Sequence, residues 1–175
     1  MTAPARPPLA LTSRAVTDGD DAFQRRLFEA DRGSQLSDSG LPQELVTQLL
    51  DHQYLGFTEM LAARATHREL WLLGDRPAAV LHRAESDDRT EVLWIAVAPE
   101  RRGSGIGRAV LEDLLARADA DGLEVHLQVD PLNIAARGLY GSLGFLTRDD
   151  ATLSTATAAD LALIRPARPV LRSQP

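Results

Sequence analysis

The chain has 175 residues, a length that fits one compact domain with a substantial core. It contains no cysteine, and all 19 of its basic residues are arginine. This composition excludes a disulfide framework, a thiolate metal site, a cysteine nucleophile, a Schiff-base lysine and the phosphate-binding lysine of a P-loop. The 25 acidic residues leave a net charge of −6, which argues against a nucleic-acid-binding protein.

The ends of the chain differ in composition from its middle. Proline, alanine and arginine dominate residues 1–8 and 166–175, which predicts flexible tails around a single domain at residues 9–165. Residues 1–8 lack the apolar stretch of a signal peptide, and no apolar run reaches the roughly 18 residues of a membrane-spanning helix. We therefore expect a cytoplasmic protein with neither membrane nor nucleic-acid partners.

The first part of the domain predicts a strand followed by two helices. The strand is predicted at residues 9–17. Thr17 is predicted to cap the helix that follows, and Gly33 is predicted to end that helix. Residues 33–40 predict a polar loop with the composition of a movable lid. Apolar residues at helical spacing then predict a second helix over residues 41–64, with proline near its start.

The remaining elements predict an α/β (α+β) fold with a mixed sheet. Residues 69–73, 78–83 and 91–98 predict three strands joined by short turns, an antiparallel meander. A glycine-rich loop follows and leads into a helix over residues 107–121 that Gly122 ends. A strand at 124–129, a helix at 133–142, a strand after Phe145 and a last strand at 160–165 complete the pattern.

The glycine-rich loop has the features of a phosphate site. Glycines allow successive backbone N–H groups to converge on an anion, and the start of the following helix adds unpaired donors and a positive partial charge. Neither the P-loop nor the dinucleotide fingerprint fits, because lysine is absent and Val110 stands where the fingerprint needs its third glycine. Three glycines and three arginines favour a pyrophosphate over a single phosphate; they are Arg101, Arg102, Gly103, Gly105, Gly107 and Arg108.

Two motifs in this part of the chain occur in a fixed order. Arg102, Gly105 and Gly107 match R-x-x-G-x-G, and residues 133–145 read N-x-x-A-x-x-L-Y-x-x-L-G-F. Together they closely resemble the acyl-CoA-binding region of the GNAT superfamily of N-acetyltransferases. The resemblance covers roughly residues 9–165 and is tightest over residues 93–145. It implies a mixed, mostly antiparallel central sheet flanked by helices, in which two splayed strands form the acyl-CoA cleft.

The resemblance also implies acetyl-CoA as co-substrate, with no metal. The strand ending at Val97 would pair its backbone with the pantetheine arm. The loop amides would hold the pyrophosphate with help from the arginines, and residues of the next helix would line the other side. The cofactor-binding residues expected on this basis are Ile95, Ala96, Val97, Arg101, Arg102, Gly103, Ser104, Gly105, Ile106, Gly107, Arg108, Asn133 and Ala136.

The second motif supplies a candidate general acid. Tyr140 occupies its tyrosine position, and a phenol can protonate the thiolate that a thioester releases. The amine acceptor must lose a proton before attack, and by resemblance Glu91 is the best-placed base, acting directly or through water. Gln53 and Tyr54 are candidates for the acceptor mouth, although Tyr54 also fits the helix core. Trp71 and Trp94 are expected in the core or in a pocket wall. The four histidines are expected at the surface or the core edge; they are His52, His67, His82 and His126.

The expected function is acetyl transfer from acetyl-CoA to a primary amine by direct attack in a ternary complex. The acceptor stays open between a small amine, an amino acid or antibiotic-like compound, and a protein amine. Two other interpretations also remain open: a non-catalytic acyl-CoA-binding regulatory module of the same fold, and a nucleotide-binding protein that uses the phosphate site. The oligomeric state is expected to be a monomer or a homodimer.

Overall fold

The computed structural model describes residues 10–37, 40–147 and 160–168, so the predicted tail at residues 1–8 and most of that at 166–175 lie outside the described residues. Seven strands form one sheet in the order β1-β2-β3-β4-β5-β7-β6. The strands are β1 (Leu11–Ala15), β2 (His67–Leu73), β3 (Arg76–Glu85), β4 (Arg89–Val97), β5 (Glu124–Val129), β6 (Leu146–Thr147) and β7 (Leu161–Arg165). The helices are α1 (Asp21–Ser37), α2 (Gln43–Arg64), α3 (Ile106–Asp121) and α4 (Ile134–Ser142).

The sheet is mixed and mostly antiparallel. Strands β2 to β4 form the predicted antiparallel meander, β1 pairs antiparallel with β2, and β7 runs antiparallel to both β5 and β6. Only β4 and β5 are parallel among the described strands, because α3 crosses between them as parallel neighbours require. The predicted fold class is therefore confirmed.

Helices cover both faces of the sheet. On one face α3 and α4 pack on the larger core cluster, in which Leu111 and Leu114 are almost fully buried against sheet residues such as Val125. On the other face, α1 inserts Leu27 among Leu70 and its sheet neighbours, and α2 lies beside α1. No helix of the described ranges is long and apolar enough to cross a membrane.

The start of α1 follows the prediction, but its end does not. A short 3-10 turn at Asp18–Asp20 leads into α1, and the Thr17 hydroxyl donates a hydrogen bond to the Asp20 carboxylate at 2.9 Å. At the other end, the prediction that Gly33 ends the helix is wrong, because α1 continues to Ser37. Glycine inside a helix costs only about 1 kcal/mol relative to alanine, which packing readily offsets. Of the predicted polar loop, residues 33–37 are helical and residues 38–39 lie outside the described residues.

The two parallel strands separate part way along their length. Strand β5 pairs with β4 only from Arg89 to Val92. Directly afterwards the register between β3 and β4 shifts, which leaves Leu93 as an extra residue in β4. A bulge of this kind bends a strand and increases its twist. The rest of β4 therefore diverges from β5 and opens the cleft that the resemblance implies.

Candidate active site

The loop between β4 and α3 presents a row of unpaired backbone donors. Gly103 has φ +72° and Gly105 has φ +93°, a left-handed conformation that glycine adopts without strain. These two turns direct several amides to one side, where the first N–H groups of α3 also lie unpaired. The amides that donate to no other described residue belong to Gly103, Gly105, Ile106, Gly107 and Arg108. The loop thus has the concave arrangement of backbone donors that suits an anion at a helix N-terminus.

The three arginines around this loop differ in what they contact. Arg101 makes no side-chain hydrogen bond to the described residues. The Arg102 guanidinium pairs with Asp31 of α1 at 2.6 Å and donates to the Val97 carbonyl at 3.3 Å. Arg108 donates to the Ser142 hydroxyl of α4 at 2.8 Å. The predicted phosphate ligands therefore surround the loop, and two of them also fasten it to the neighbouring helices.

The edge of β4 that borders the cleft carries peptide groups that do not pair with β3, and of these the Val97 carbonyl accepts the hydrogen bond from Arg102. The Ala98 amide donates to the Ala78 carbonyl at 2.9 Å, and hydrogen-bonded pairs alternate along an antiparallel ladder. Ile95 and Val97 therefore direct their N–H and C=O groups away from β3 and into the cleft, whereas Ala96 bonds to β3. A linear ligand with amide groups can pair with this edge as an added strand would.

Helix α4 forms the opposite wall of the cleft. The Asn133 side chain caps it by accepting a hydrogen bond from the Ala136 amide at 3.1 Å, which explains the three-residue spacing of these two motif residues. Gly107 lies close to this wall, since a Cβ on it would stand 3.8 Å from the Leu139 side chain. The second motif thus builds and positions α4 beside the phosphate loop.

Tyr140 of α4 is buried but its hydroxyl is unpaired. Its ring packs against Phe145 with centroids 5.6 Å apart, and only 7% of the residue is exposed. The hydroxyl makes no hydrogen bond to any described residue. Burial raises the pKa of Tyr140 to about 12, so the phenol stays protonated around neutral pH. The side chain is therefore a proton donor without a competing partner.

The predicted base, Glu91, lies on the sheet face that carries α1 and α2, in the part of β4 that still pairs with β5. Glu91 accepts hydrogen bonds from Arg64, at the end of α2, at 3.0 and 2.9 Å. It stands opposite His126 in the parallel register of β4 and β5. The His126 ring nitrogen Nε2 lies 3.0 Å from the Glu124 carboxylate. Two carboxylates, a histidine and an arginine thus meet near the closed end of the cleft.

Sequence reasoning missed part of this cluster. It expected His126 only at the surface or the core edge, and it did not include Arg64 or Glu124. The alternation of His126 with buried Val125 and Leu127 was the available signal for its orientation. No local pattern connects Arg64 with Glu91, because 27 residues separate them.

Two histidines and one tryptophan lie as predicted: His52 and His67 are exposed, and Trp71 is a core residue. Gln53 is exposed on α2, and its place at the acceptor mouth stays a prediction. Tyr54 belongs to the helix core, as its alternative assignment proposed, and its hydroxyl donates to Asp21 at 2.7 Å.

His82 is the exception among the histidines. Expected at the surface or core edge, it is fully buried beside Trp94, with ring centroids 5.4 Å apart. Neither of its ring nitrogens has a hydrogen-bond partner. Burial lowers the pKa of His82 to about 4, so it is neutral at pH 7. The alternating pattern of β3 could not reveal this, because α1 and α2 cover His82 only in the folded chain.

Comparisons with known proteins agree with this geometry. The model of the acetyltransferase (GNAT) family matches residues 39–145, more than half of the chain. The chain therefore belongs to the GNAT acetyltransferase family.

Curated relatives match a shorter segment. The mycothiol acetyltransferases of Thermobispora bispora and Kocuria rhizophila are 50% and 48% identical to it over 56 residues. That segment is 31% of this chain but only 19% and 18% of the respective relatives' length. The chain thus matches under a fifth of each of these proteins.

Solved structures match nearly the whole fold. The ribosomal-protein-S18-alanine N-acetyltransferase of Escherichia coli aligns with a TM-score of 0.60 and 19% identity, covering 94% of this chain and 99% of that one. The PaiA N-acetyltransferase of Thermoplasma acidophilum, solved in complex with coenzyme A, aligns with a TM-score of 0.63 and 14% identity over 90% and 99%. At these identities the likeness shows the shared fold.

Proposed function

We propose that the chain is an acetyl-CoA-dependent N-acetyltransferase that transfers the acetyl group to a primary amine by direct attack in a ternary complex. The observation that carries this proposal is the set of unpaired loop amides at the open end of the cleft between β4 and β5. Unpaired donors that converge at a helix N-terminus favour a pyrophosphate, and the free edge of β4 favours an amide-bearing arm.

The residues present fit acetyl-CoA along the whole cleft. The five unpaired amides and Arg101 would hold the pyrophosphate, with Arg102 and Arg108 beside them. The peptide groups of Ile95 and Val97 would pair with the pantetheine amides. Ser104 and Ala96 help to shape the loop and strand, and Ala136 lines the α4 wall, where Asn133 supports it through the helix cap.

Tyr140 is proposed as the general acid. When bound, acetyl-CoA supplies a thioester whose carbon–sulfur bond breaks as the amine nitrogen bonds to the acetyl carbon. The sulfur then needs a proton. The buried, unpaired hydroxyl of Tyr140 can donate it, because no other described residue accepts a hydrogen bond from this group. The phenol regains its proton from solvent after release of the products.

Glu91 is proposed as the proton acceptor for the amine, directly or through water. Its ion pair with Arg64 fixes the carboxylate near the closed end of the cleft. His126 is a second candidate, because its contact with Glu124 orients the ring and histidine is the most frequent general base. The pH dependence of kcat/KM separates them: the variant that removes the base loses the acidic limb of the profile, whereas the other variant keeps it.

The acceptor is proposed only as a class of compound, the primary amines. The names of the similar proteins refer to a ribosomal-protein alanine, mycothiol and spermidine, which are chemically different compounds. A small amine, an amino acid or antibiotic-like compound and a protein amine are therefore all included in the test.

The test is release of free CoA from acetyl-CoA across amines, amino acids, aminoglycosides and peptides. We expect release with at least one primary amine, acetylated product by mass spectrometry, and its loss in Tyr140→Phe. Acetyl-CoA binding without turnover across the panel would favour the non-catalytic regulatory module instead. Binding of ATP or NAD, but of neither CoA form, would contradict the co-substrate assignment.

A further inference from the structure

A polar cavity lies on the α1–α2 side of the sheet, away from the cleft. It has a volume of about 280 Å³ and forms where β1 ends, α1 begins and β2 passes beneath. Its lining residues are Val16, Thr17, Asp18, Asp21, Gln24 and Arg68. Cavities for drug-sized ligands span roughly 300–1,000 Å³, so this one suits a smaller molecule.

Gln24 is the most informative residue of this cavity. It lies on the inward stripe of α1 between Asp20 and Leu27 and is only 5% exposed. Its amide forms no hydrogen bond with any described residue. The amide atoms are not sealed in the core, because they open into the cavity. The cavity that Gln24 lines is where a partner for this amide can bind.

The charged residues of the cavity stand on opposite walls. Asp18 and Asp21 belong to the segment that begins α1, and Arg68 projects from β2 on the same side of the sheet as buried Leu70. The Arg68 side chain makes no hydrogen bond or ion pair within the described ranges, and Asp18 makes none either. Asp21 accepts a hydrogen bond from Tyr54 through one oxygen, Oδ1. The cavity is therefore dipolar, with its charges available to a ligand.

This cavity is separate from the acyl-CoA cleft. One row of residues runs across the sheet from Val16, directly after β1, through Arg68 and His82 to Trp94. Adjacent strands lie about 4.8 Å apart, so the backbones of Arg68 and Trp94 are about 10 Å apart. The fully buried ring of His82 stands between them. The cavity therefore lies two strands away from β4, which borders the cleft.

We propose that this cavity binds a small zwitterion of the α-amino acid class. Its ammonium group pairs with the carboxylates of Asp18 and Asp21, and its carboxylate pairs with Arg68. Gln24 can donate to the carboxylate and accept from the ammonium group. A simple cation would leave Arg68 uncompensated, and a simple anion would face two carboxylates. A zwitterion pairs with the carboxylates on one wall and with Arg68 on the other.

Titration calorimetry without acetyl-CoA tests this site with the standard α-amino acids as probes. For each amino acid that binds, the corresponding amine without the carboxylate and the acid without the amine are also measured. We expect binding of at least one amino acid and at least about tenfold weaker binding of both truncated compounds, since each loses a charge-assisted hydrogen bond. If the amine binds as tightly as the amino acid, the ligand is a cation and not a zwitterion. If no amino acid binds at concentrations up to about 10 mM, the proposed site is wrong.

Substitutions in the cavity show whether an amino acid that binds the protein binds there. Arg68→Gln and Gln24→Leu should each weaken the amino acid about tenfold. Arg76→Gln is the matched control, because Arg76 is an exposed arginine at the other end of the meander. Acetyl-CoA affinity of each variant reports on folding. Unchanged amino-acid binding in Arg68→Gln would assign the ligand to the acceptor cleft and overturn the proposal, whereas the proposed acetyltransferase function would stand.

Discussion

The sheet face that carries α3 and α4 differs from the face that carries α1 and α2 in the source of its polar groups. On the α3–α4 face, backbone amides of the loop around Gly105 are left unpaired, and β4 pairs with β5 only as far as Val92. On the α1–α2 face, the polar groups are side chains from distant elements, such as Arg64 with Glu91. The first arrangement suits a ligand that many relatives share, and the second can change without altering the backbone.

This difference explains why the two faces are unequally visible in the sequence. A backbone site needs glycine at particular φ values and a cap at a particular spacing, so it leaves short motifs. A side-chain site needs only that its residues meet after folding. Substitutions at the backbone site and at the side-chain sites should therefore differ in effect, with the largest effect at the backbone site.

The largest effect is expected from a side chain added to the phosphate loop. Gly105→Val forces a β-branched residue to φ +93° and redirects the neighbouring amides. We expect acetyl-CoA binding to weaken by at least about 100-fold, since several charge-assisted hydrogen bonds are lost together. Titration calorimetry measures it. Gly74→Val, at φ +61° in the β2–β3 turn, is the control for backbone strain and should retain binding.

Removal of one oxygen atom from Tyr140 should separate chemistry from binding. Tyr140→Phe keeps the packing on Phe145 but cannot donate a proton, so we expect kcat to fall about 100-fold with acetyl-CoA affinity unchanged. Tyr54→Phe is the matched control, because it loses a hydrogen bond to Asp21 on the other face. Equal kcat values for the two variants would refute the acid role.

The buried histidine should make stability depend on pH. The pKa of His82 is lowered to about 4 in the folded chain, whereas the unfolded chain binds this proton near pH 6.5. The unfolded state therefore takes up more protons between these values, and stability present at pH 7 is lost as the pH falls. We expect a loss of about 2 kcal/mol between pH 7 and pH 5.

Urea unfolding at several pH values measures this dependence. His82→Leu should flatten the stability curve between pH 7 and pH 5, because the titrating group is gone. His52→Asn, which removes an exposed histidine, should leave the curve as it is in the parent protein. A curve of unchanged slope in His82→Leu would assign the pH dependence to other groups.

The smallest effect is expected where the two faces touch. Asp31 of α1 pairs with Arg102 beside the phosphate loop, and this carboxylate competes with a bound pyrophosphate for the guanidinium. Asp31→Asn should therefore tighten acetyl-CoA binding by about two- to fivefold, as expected for one exposed ion pair. Glu29→Gln, which removes the partner of Arg25 on the same helix, should change nothing. Weaker binding in Asp31→Asn would contradict competition.

Much of the fold could be predicted because its signals are local. The element order, the meander and the end of α3 at Gly122, which has φ +74°, follow from periodicity and turn residues. Gly33 shows the limit of such signals, since the same residue type lies inside α1. Whether a glycine ends a helix depends on whether the following residues gain more from packing than from turning, and this is a tertiary property.

The sequence by itself determined the phosphate loop, the cap of α4 at Asn133 and the place of Tyr140, because each depends on residues that are neighbours in the chain. The absence of cysteine and lysine also excludes covalent intermediates on either side chain of this sequence. Only the tertiary structure decided that β4 departs from β5 at Leu93, that Arg64 reaches Glu91, that His82 is buried without partners and that Gln24 lines the cavity. These features depend on strand register and helix packing, which arise when distant segments come together.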